Sequence, residues 1–369
     1  MFLRLSIIGW LTASLFLCGS ALAAGSEGVI PPLLESIRLK QPLTFCGETV
    51  PLDDAEVRED MEKELLLSLW DRDQAILWLK RSTRYFPVIE DMLSQAGLPD
   101  DLKYIALAES ALRPHVGSPK GAIGFWQFLP ETGRRYGLTV NEFIDQRRNL
   151  VASTKAAIAY YSVLYEKFGS WSLAATAFNM GEEGLQAEIL AQEVNNFYRL
   201  YLSLETQRYL FRILSAKLIL TQPERYGFQL KKEDFYSPVR FSTVELTTYE
   251  ETSLRVVAQA AQTDFKRIKD LNPELRGHYL QAGTYTLALP ENTPPGFLER
   301  FKQGHQEWSQ QRQERIYIVQ PGDNLSTIAE QFRVPLAALL IWNHIDLNSP
   351  LHPGDRLIIN PAEHSTDSP

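Results

Sequence analysis

The sequence predicts an α+β protein, in which a mainly α-helical domain is followed by two small βααβ modules. Two observations carry this prediction. Apolar residues recur at helical spacing through most of residues 57–220. Beyond Pro238 the chain repeats itself, because residues 254–290 align without a gap on residues 325–361 after a shift of seventy-one positions. The aligned identities are Leu254 with Leu325, Ala258 with Ala329, Asn272 with Asn343, Leu280 with Leu351, Gly283 with Gly354 and Pro290 with Pro361.

The composition is that of a globular chain with room for more than one core. It has 369 residues, of which 44% are hydrophobic and 22% are charged. The net charge of −8 gives no electrostatic footprint for nucleic acid. The six histidines are scattered without ligand spacing, so we expect no metal and no cofactor.

Residues 1–23 have the pattern of a signal peptide. Arg4 precedes an apolar run from Ile7 to Leu17, and Ala21-Leu22-Ala23 is a small-x-small cleavage site. The alternative is an uncleaved anchor, for which the run is short. Cleavage after Ala23 would remove Cys18 and leave Cys46 alone, which excludes an internal disulfide.

A single acid, Glu109, interrupts the apolar helix predicted over residues 103–112. Apolar rows flank it on the helix surface, so its surroundings should be poor in water. Such a site raises the pKa of a carboxyl group, as a general acid at neutral pH requires. The alternative is that Glu109 faces solvent at a helix end.

A loop with Gly117, Gly121 and Gly124 follows this helix and can bend tightly. We call residues 117–128 the glycine loop. It ends in the run Phe125-Trp126-Gln127-Phe128, in which aromatic rings suit a sugar face and an amide suits its hydroxyls. The alternative is that these aromatic side chains belong to the core.

The motifs together resemble the lytic transglycosylase domain of the lysozyme-like superfamily. They are Glu109-Ser110, the run Gly121-Ala122-x-Gly124-x-Trp126-Gln127-Phe128-x-Pro130-x-Thr132-Gly133, and Ala177-Phe178-Asn179-Met180-Gly181-Glu182. The resemblance implies cleavage of the β-1,4 bond between N-acetylmuramic acid and N-acetylglucosamine in peptidoglycan. Glu109 would act as acid and then as base, leaving a 1,6-anhydro-muramyl end, and the substrate's N-acetyl group would supply the nucleophile.

The resemblance also implies a set of substrate-binding residues: Ser110, Gly124, Trp126, Gln127, Phe178, Asn179 and Tyr209. Phe178 stands where family members usually have Tyr. The residues alone allow another role for two of these side chains. Asn179 is equally suited to be a helix C-cap beside Gly181, and Tyr209 to be a packed side chain with its hydroxyl at the rim of the core.

The second repeat, from Tyr317 to Ile359, predicts strand, turn, two helices and strand. It is similar to LysM, a module that binds glycans containing N-acetylglucosamine. The resemblance implies glycan-binding residues Gly322, Asp323, Asn324, Leu325 and Asn343. The first repeat has Glu250-Glu251-Thr252 in place of the Pro-Gly-Asp turn, so we expect it to keep the fold with weaker or no glycan binding.

These interpretations divide the chain into a signal peptide (1–23), a helical lead-in (24–84), the lytic transglycosylase domain (85–222), a degenerate LysM-like module (244–290), a linker (291–314) and a LysM domain (315–361). The competing functions are a hydrolytic muramidase and a non-catalytic wall-binding protein. We expect a monomer in the periplasm or cell envelope, with peptidoglycan glycan strands as the partner. Outer-membrane association stays open, because Leu17 stands before Cys18 where a lipoprotein has a small residue.

Overall fold

The computed structural model describes residues 33–39, 42–313 and 316–359. The predicted signal peptide and Cys18 lie outside the described residues. Three separate hydrophobic cores are buried, one in the helical part and one in each repeat. The predicted α+β architecture is therefore confirmed. In these ranges we find no helix with the length and apolarity that a membrane span requires.

The helical part contains nine α-helices and one small hairpin among the described residues. They are α1 (Leu33–Ile37), β1 (Thr44–Phe45), β2 (Glu48–Thr49), α2 (Ala55–Trp70), α3 (Arg72–Gln95), α4 (Lys103–Ser110), α5 (Pro130–Arg135), α6 (Leu150–Phe168), α7 (Trp171–Met180), α8 (Glu182–Gln192) and α9 (Leu204–Thr221).

The apolar pattern predicts one helix from about Val57 to Tyr85, with Trp70 on its packed face, and another from Tyr85 to Leu98. The boundary at Tyr85 is wrong. The chain breaks at Asp71 instead, where the Asp71 carboxylate accepts a 3.2 Å hydrogen bond from the Gln74 backbone and caps α3. Pro87 lies inside the uninterrupted α3. Trp70 is the last residue before this break and does not pack on the core. Its side chain is 85% exposed, although the apolar pattern predicted that it would be buried.

The helical lead-in packs on the later helices, as predicted. Helix α2 lies against α9, where the buried Glu64 pairs with Arg208. The β1–β2 hairpin supplies Glu48, whose carboxylate accepts from the Trp171 and Ser172 backbone N–H groups at 2.5 and 3.0 Å. A negative charge at this end of α7 is favourable, because the first N–H groups of a helix lack partners.

The sequence predicts that Asp100 or Asp101 caps the helix of Glu109 or lies favourably at its positive end. Neither acid forms a side-chain cap. Residues 100–102 form a 3₁₀ turn without a side-chain cap. Asp101 instead accepts from the Cys46 backbone N–H and from Lys217 Nζ, each at 2.7 Å. It therefore ties the lead-in hairpin to α9.

The second repeat has the predicted βααβ order, and the first repeat has this order with an additional short strand pair between the outer strands and the helices. The first contains β3 (Phe241–Thr248), β4 (Thr252–Ser253), α10 (Leu254–Ala260), α11 (Phe265–Leu271), β5 (Tyr279–Leu280) and β6 (Gly283–Pro290), followed by α12 (Phe297–Gln313). The second contains β7 (Ile316–Ile318), α13 (Leu325–Gln331), α14 (Leu336–Asn343) and β8 (Arg356–Ile358). Strand β3 pairs antiparallel with β6, β4 pairs antiparallel with β5, and β7 pairs antiparallel with β8.

The predicted linker between the repeats is largely the helix α12, and it is not isolated. Phe297 and Phe301 on α12 are buried in the core of the first repeat, against α10. The helix therefore enlarges a small core that a single βααβ unit could barely fill.

Candidate active site

Glu109 is the next-to-last residue of α4. The helix ends abruptly because Ala111 and Leu112 take left-handed backbone angles, with φ of 51° and 57°. Glu109 is partly buried, and burial raises the pKa of its carboxyl to about 7. The alternative of a solvent-facing acid does not fit this position.

Tyr209 lies opposite this acid on α9. Its hydroxyl donates a 2.5 Å hydrogen bond to Glu109 Oε1, and its side chain is only 1% exposed. The hydrogen bond lowers the pKa of Glu109 and so opposes the effect of burial. The resemblance to lytic transglycosylases implies a tyrosine that points at the catalytic acid, and Tyr209 makes this contact with Glu109. Its hydroxyl does not turn to the rim.

The glycine loop lies beside Glu109 as a small β-like wing. Antiparallel bridges join Ile123 to Gly117 and to Phe128. The Ser110 hydroxyl donates to the Phe125 carbonyl at 2.9 Å and thereby fixes the loop to α4. Ser110 is 2% exposed, so it holds the site together and has no surface for substrate.

Gln127 is partly buried in the same loop, with a left-handed φ of 49°. Its Nε2 donates to the carbonyls of Val116 and Gly124 at 3.0 and 2.8 Å. The amide nitrogen thus stabilises the loop, which leaves the amide oxygen as the end able to meet a sugar hydroxyl.

A buried ion pair supports the glycine loop from behind. Arg147 donates through Nε and Nη2 to the two carboxylate oxygens of Asp145, each at 2.8 Å. Its Nη1 donates to the carbonyls of Gly121 and Phe128 at 2.8 and 3.0 Å. We call residues 143–148 the support turn. Gly124 touches this turn so closely that a Cβ there would lie 1.9 Å from the Arg147 carbonyl oxygen.

The prediction that Trp126 binds the sugar needs correction. The ring is 1% exposed, and its Nε1 donates to the buried Thr154 hydroxyl at 3.0 Å. A side chain with its one donor satisfied in the core has no face for a pyranose ring. Phe125 and Phe128 are likewise 2% exposed, so the core alternative holds for all three aromatic residues of the loop.

Phe178 and Asn179 lie at the end of α7 and are both partly buried. The Phe178 ring stacks on Tyr161, with centroids 4.8 Å apart. Asn179 Oδ1 accepts from the Thr206 hydroxyl at 3.2 Å, and Gly181 provides the C-cap of α7. Gly181 is therefore the C-cap of α7, and the Asn179 side chain is hydrogen-bonded to the neighbouring helix α9.

The residues predicted for glycan binding in the second repeat have mixed positions. Gly322 and Asn324 are exposed, and Asn324 caps α13 by accepting from the Thr327 backbone. Asp323 is partly buried and accepts from Tyr317 and from the Gln320 backbone, each at 2.7 Å.

The other two residues predicted for glycan binding need correction. Leu325 is 8% exposed and belongs to the module core. Asn343 joins α14 to β8, because its side chain donates to the Leu339 and Ile358 carbonyls at 2.8 and 3.0 Å. Asn272 makes the equivalent hydrogen bonds to the Ile268 and Ala288 carbonyls in the first repeat. In both repeats this asparagine therefore joins the second helix to the last strand.

Sequence reasoning missed four residues around the acid. The buried Tyr161 lies beside Glu109 and Tyr209; burial and then the negative charge of Glu109 raise the pKa of its hydroxyl well above 10. Glu205, Thr206 and Arg212 share one face of α9 with Tyr209. Glu205 raises the pKa of Glu109 by charge repulsion, and Arg212 lowers it by attraction. Their helical spacing from Tyr209 was the signal that could have found them.

Comparison with known proteins shows the family to which the chain belongs. The family described as Transglycosylase SLT domain matches residues 87–198, and the LysM domain family matches residues 317–360. The chain is 30% identical over 332 residues to the membrane-bound lytic murein transglycosylase D of Escherichia coli strain K12, and equally to that of Escherichia coli O6:H1. Each alignment covers 85% of this chain and 72% of the relative. A solved 70 kDa soluble lytic transglycosylase of Escherichia coli is 18% identical, with a TM-score of 0.35 over 46% of this chain and 30% of that one.

A helical domain with a buried acid, joined to a βααβ glycan module, thus defines a lytic transglycosylase with a LysM peptidoglycan-binding domain. The chain belongs to the family of membrane-bound lytic murein transglycosylase D. Within the part of the chain that the structure describes, no cluster of His, Cys, Asp or Glu side chains could hold a metal ion.

Proposed function

We propose that Glu109 is both the acid and the base of a cleavage that uses no water. Protonated Glu109 gives its proton to the oxygen that leaves C1 of N-acetylmuramic acid as the β-1,4 bond breaks. The carbonyl oxygen of the N-acetyl group of the same sugar bonds to C1 as this bond breaks. The carboxylate then takes the proton of the C6 hydroxyl, and the C6 oxygen bonds to C1 and displaces the N-acetyl oxygen. The protein ends in its starting protonation state, and the products are a 1,6-anhydro-muramyl end and a free 4-hydroxyl.

The observation that carries this proposal is the partly buried Glu109 with a pKa of about 7. An acid that titrates near neutral pH can donate a proton and later receive one at comparable cost. Tyr209 donates to the same carboxyl, so it stabilises the anion formed after the first transfer.

Four further acids lie near the sequence motifs and could be the second carboxylate of a hydrolase, but each has another partner or faces solvent. Asp145 is paired with Arg147, and Glu182 with Arg135 at 3.1 Å. Glu131 and Glu183 are exposed. A hydrolase of the usual kind needs a second carboxylate across the scissile bond. Here the C6 hydroxyl of the substrate would replace water, and the N-acetyl group of the substrate would replace that carboxylate as the nucleophile.

We infer that Gln127, Phe178 and Asn179 contact the sugars beside the cleaved bond. All three are partly exposed, unlike Ser110 and Trp126. In the second module, Gly322 and Asn324 are the predicted residues that remain open to a glycan. These contacts are the finer part of the proposal.

Mass spectrometry of muropeptides released from purified sacculi by residues 24–369 tests the proposal. We expect products with 1,6-anhydro-muramyl ends, and no release by Glu109→Gln. Glu131→Gln is the matched control, because it replaces an exposed acid and should leave release unchanged. Release by Glu109→Gln at the normal rate would exclude this residue as the acid.

Glu205 gives the hydrolase alternative its best support, because its charge acts on Glu109. If it served as a second carboxylate, products would carry reducing ends, heavier by one water, and Glu205→Gln would abolish release. The single-acid proposal expects anhydro ends from both the native chain and Glu205→Gln.

We also propose that the reaction takes place in the periplasm or cell envelope, after export directed by residues 1–23. The mass of the mature protein distinguishes cleavage after Ala23 from a lipid on Cys18.

A further inference from the structure

The first repeat does not stand apart from the helical domain. The Asp145 backbone N–H donates to the Glu274 carbonyl, and the Arg276 N–H donates to the Phe143 carbonyl, each at 2.9 Å. Ile144 and Leu275 face each other in this antiparallel pair. We call residues 272–276 the docking loop, and its partner is the support turn.

The segment before the first repeat is also fixed to the helical domain. The Thr83 hydroxyl on α3 donates to the Tyr236 carbonyl at 2.8 Å. The Val239 N–H donates to the Arg84 carbonyl at 3.0 Å, and the Arg84 guanidinium lies 4.7 Å from the centre of the Tyr236 ring. The repeat is therefore held at two places far apart in sequence.

The second repeat provides an internal comparison. Glu274 and Leu275 in the docking loop are 5% and 4% exposed. Asp346, which aligns with Leu275 after the shift of seventy-one positions, is exposed. In the first repeat this loop is buried, because Leu275 packs into the core of the repeat and pairs with Ile144, while Glu274 lies against Asn149 of the helical domain. The corresponding loop of the second repeat is exposed at Asp346.

The docked loop is connected to the reaction site by a short series of contacts. Asp145, whose N–H binds the docking loop, holds Arg147 through its carboxylate. Arg147 in turn holds the two ends of the glycine loop at Gly121 and Phe128. Behind Phe125 lies a cavity of about 410 Å³, whose wall is shared with residues of the first repeat.

From these contacts we propose that the first LysM-like module is a positioning module for the active site. Its docking loop holds the support turn, and the support turn holds the glycine loop against the helix of Glu109. The docking loop of the first module is occupied by this intramolecular contact, so the second module binds the glycan. The inference requires only that the enzyme cleaves glycan, whichever product ends form.

Leu275→Asp in residues 24–369 tests the role of the docking loop. We expect the kcat on a short soluble glycan of alternating N-acetylglucosamine and N-acetylmuramic acid to fall roughly 10- to 100-fold, because small displacements of catalytic loops have such effects. Binding to sacculi should be unchanged. Leu347→Asp is the matched control, since this leucine is 67% exposed in the second module's loop, and it should keep the native kcat. All rates are compared below the unfolding transition of each variant.

A cross-link tests docking without depending on a destabilised variant. Ile144 and Leu275 form the non-hydrogen-bonded kind of antiparallel pair, in which Cα atoms lie about 4.5 Å apart, within the range of a disulfide. Ile144→Cys combined with Leu275→Cys should therefore oxidise readily, while each single variant stays unlinked.

Three results would overturn the proposal. The paired thiols could remain free under oxidation, which would mean that the module is not docked in solution. Folded Leu275→Asp could retain the native kcat, which would mean that docking does not position the site. Leu275→Asp could instead lose sacculus binding at native kcat, which would make the first module a glycan binder.

Discussion

Among single side chains, Glu109 is subject to opposing influences. Burial raises the pKa of its carboxyl, Tyr209 and Arg212 lower it, and Glu205 raises it, with a net value of about 7. The protonated form that donates to the leaving oxygen is lost as the pH rises through this value. Activity should therefore have an alkaline limb near neutral pH.

Two conservative variants should move that limb in opposite directions. Tyr209→Phe removes a hydrogen bond that lowers the pKa of Glu109, so the limb of kcat/KM should move to higher pH, with kcat reduced about tenfold. Glu205→Gln removes a charge that raises this pKa, so the limb should move to lower pH. The measurement is kcat/KM on a short glycan across the pH range. Shifts in the same direction would contradict the electrostatic account of the site.

Glu109→Gln should stabilise the fold while it abolishes activity. The folded-state pKa of about 7 exceeds the ordinary value of 4.5, so the native protein loses stability as the pH rises between these values. Gln carries no charge and does not incur this loss. At pH 8 we expect a gain of about 2 kcal/mol, smaller than a fully buried carboxyl would give, and almost none at pH 4. Thermal unfolding followed by tryptophan fluorescence measures both. An equal gain at the two pH values would show that ionisation of Glu109 is not the cause.

The sequence was sufficient to single out Glu109 and Tyr209 but not to assign Trp126. An acid between apolar helix rows predicts its own burial, and a resemblance extends the argument to its partner. Whether an aromatic ring in a loop turns toward the core or the cleft depends on a contact distant in sequence, here the Thr154 hydroxyl. Local pattern contains no information about that contact.

Among helices and loops, the glycine loop depends on its close approach to the support turn. Gly124→Ala should lower kcat at least tenfold, because the added Cβ would lie 1.9 Å from the Arg147 carbonyl oxygen and the loop must move. Gly137→Ala is the matched control. Gly137 has a similar φ of +86°, but nothing lies within 4 Å of an added Cβ, so only backbone strain of about 1–2 kcal/mol is expected. If Gly124→Ala and Gly137→Ala lowered kcat equally, backbone strain and not the clash with Arg147 would be the cause of the loss.

Helix existence was easier to predict than helix limits. The apolar period indicated helices in the lead-in, but the break lies at Asp71 and not at Tyr85. Pro87 lies within α3, and Trp70 is exposed where packing was predicted. Both errors have one physical cause. The cap at Asp71 begins a new helix, so the residues that face the core after Asp71 no longer follow the spacing set before it. The sequence shows this change only if the cap is recognised.

For the chain as a whole, the second module has a core of its own, from Val319 to Ile359. A chain that ends at residue 313 should therefore keep the Glu109 site and lose affinity for peptidoglycan. We expect native kcat on a short soluble glycan and weaker co-sedimentation with sacculi. Undiminished co-sedimentation would assign wall binding to the cleft or to the first module.

The repeat was predictable because identical residues recur in phase, and the equivalent hydrogen bonds of Asn272 and Asn343 explain one of those identities. The docking of the first repeat was not predictable. Its bonds join main-chain groups of residues 143–145 and 274–276, and main-chain groups leave no signature in side-chain order.

That pairing has an evolutionary consequence. Hydrogen bonds between two backbones require a complementary shape and impose little on the residue types that supply it. After a module is duplicated, a copy attached in this way can drift in sequence, lose its ligand and still survive as a joint. Such a joint should also be portable, so that related modules can be exchanged between enzymes as long as the two short segments keep their register.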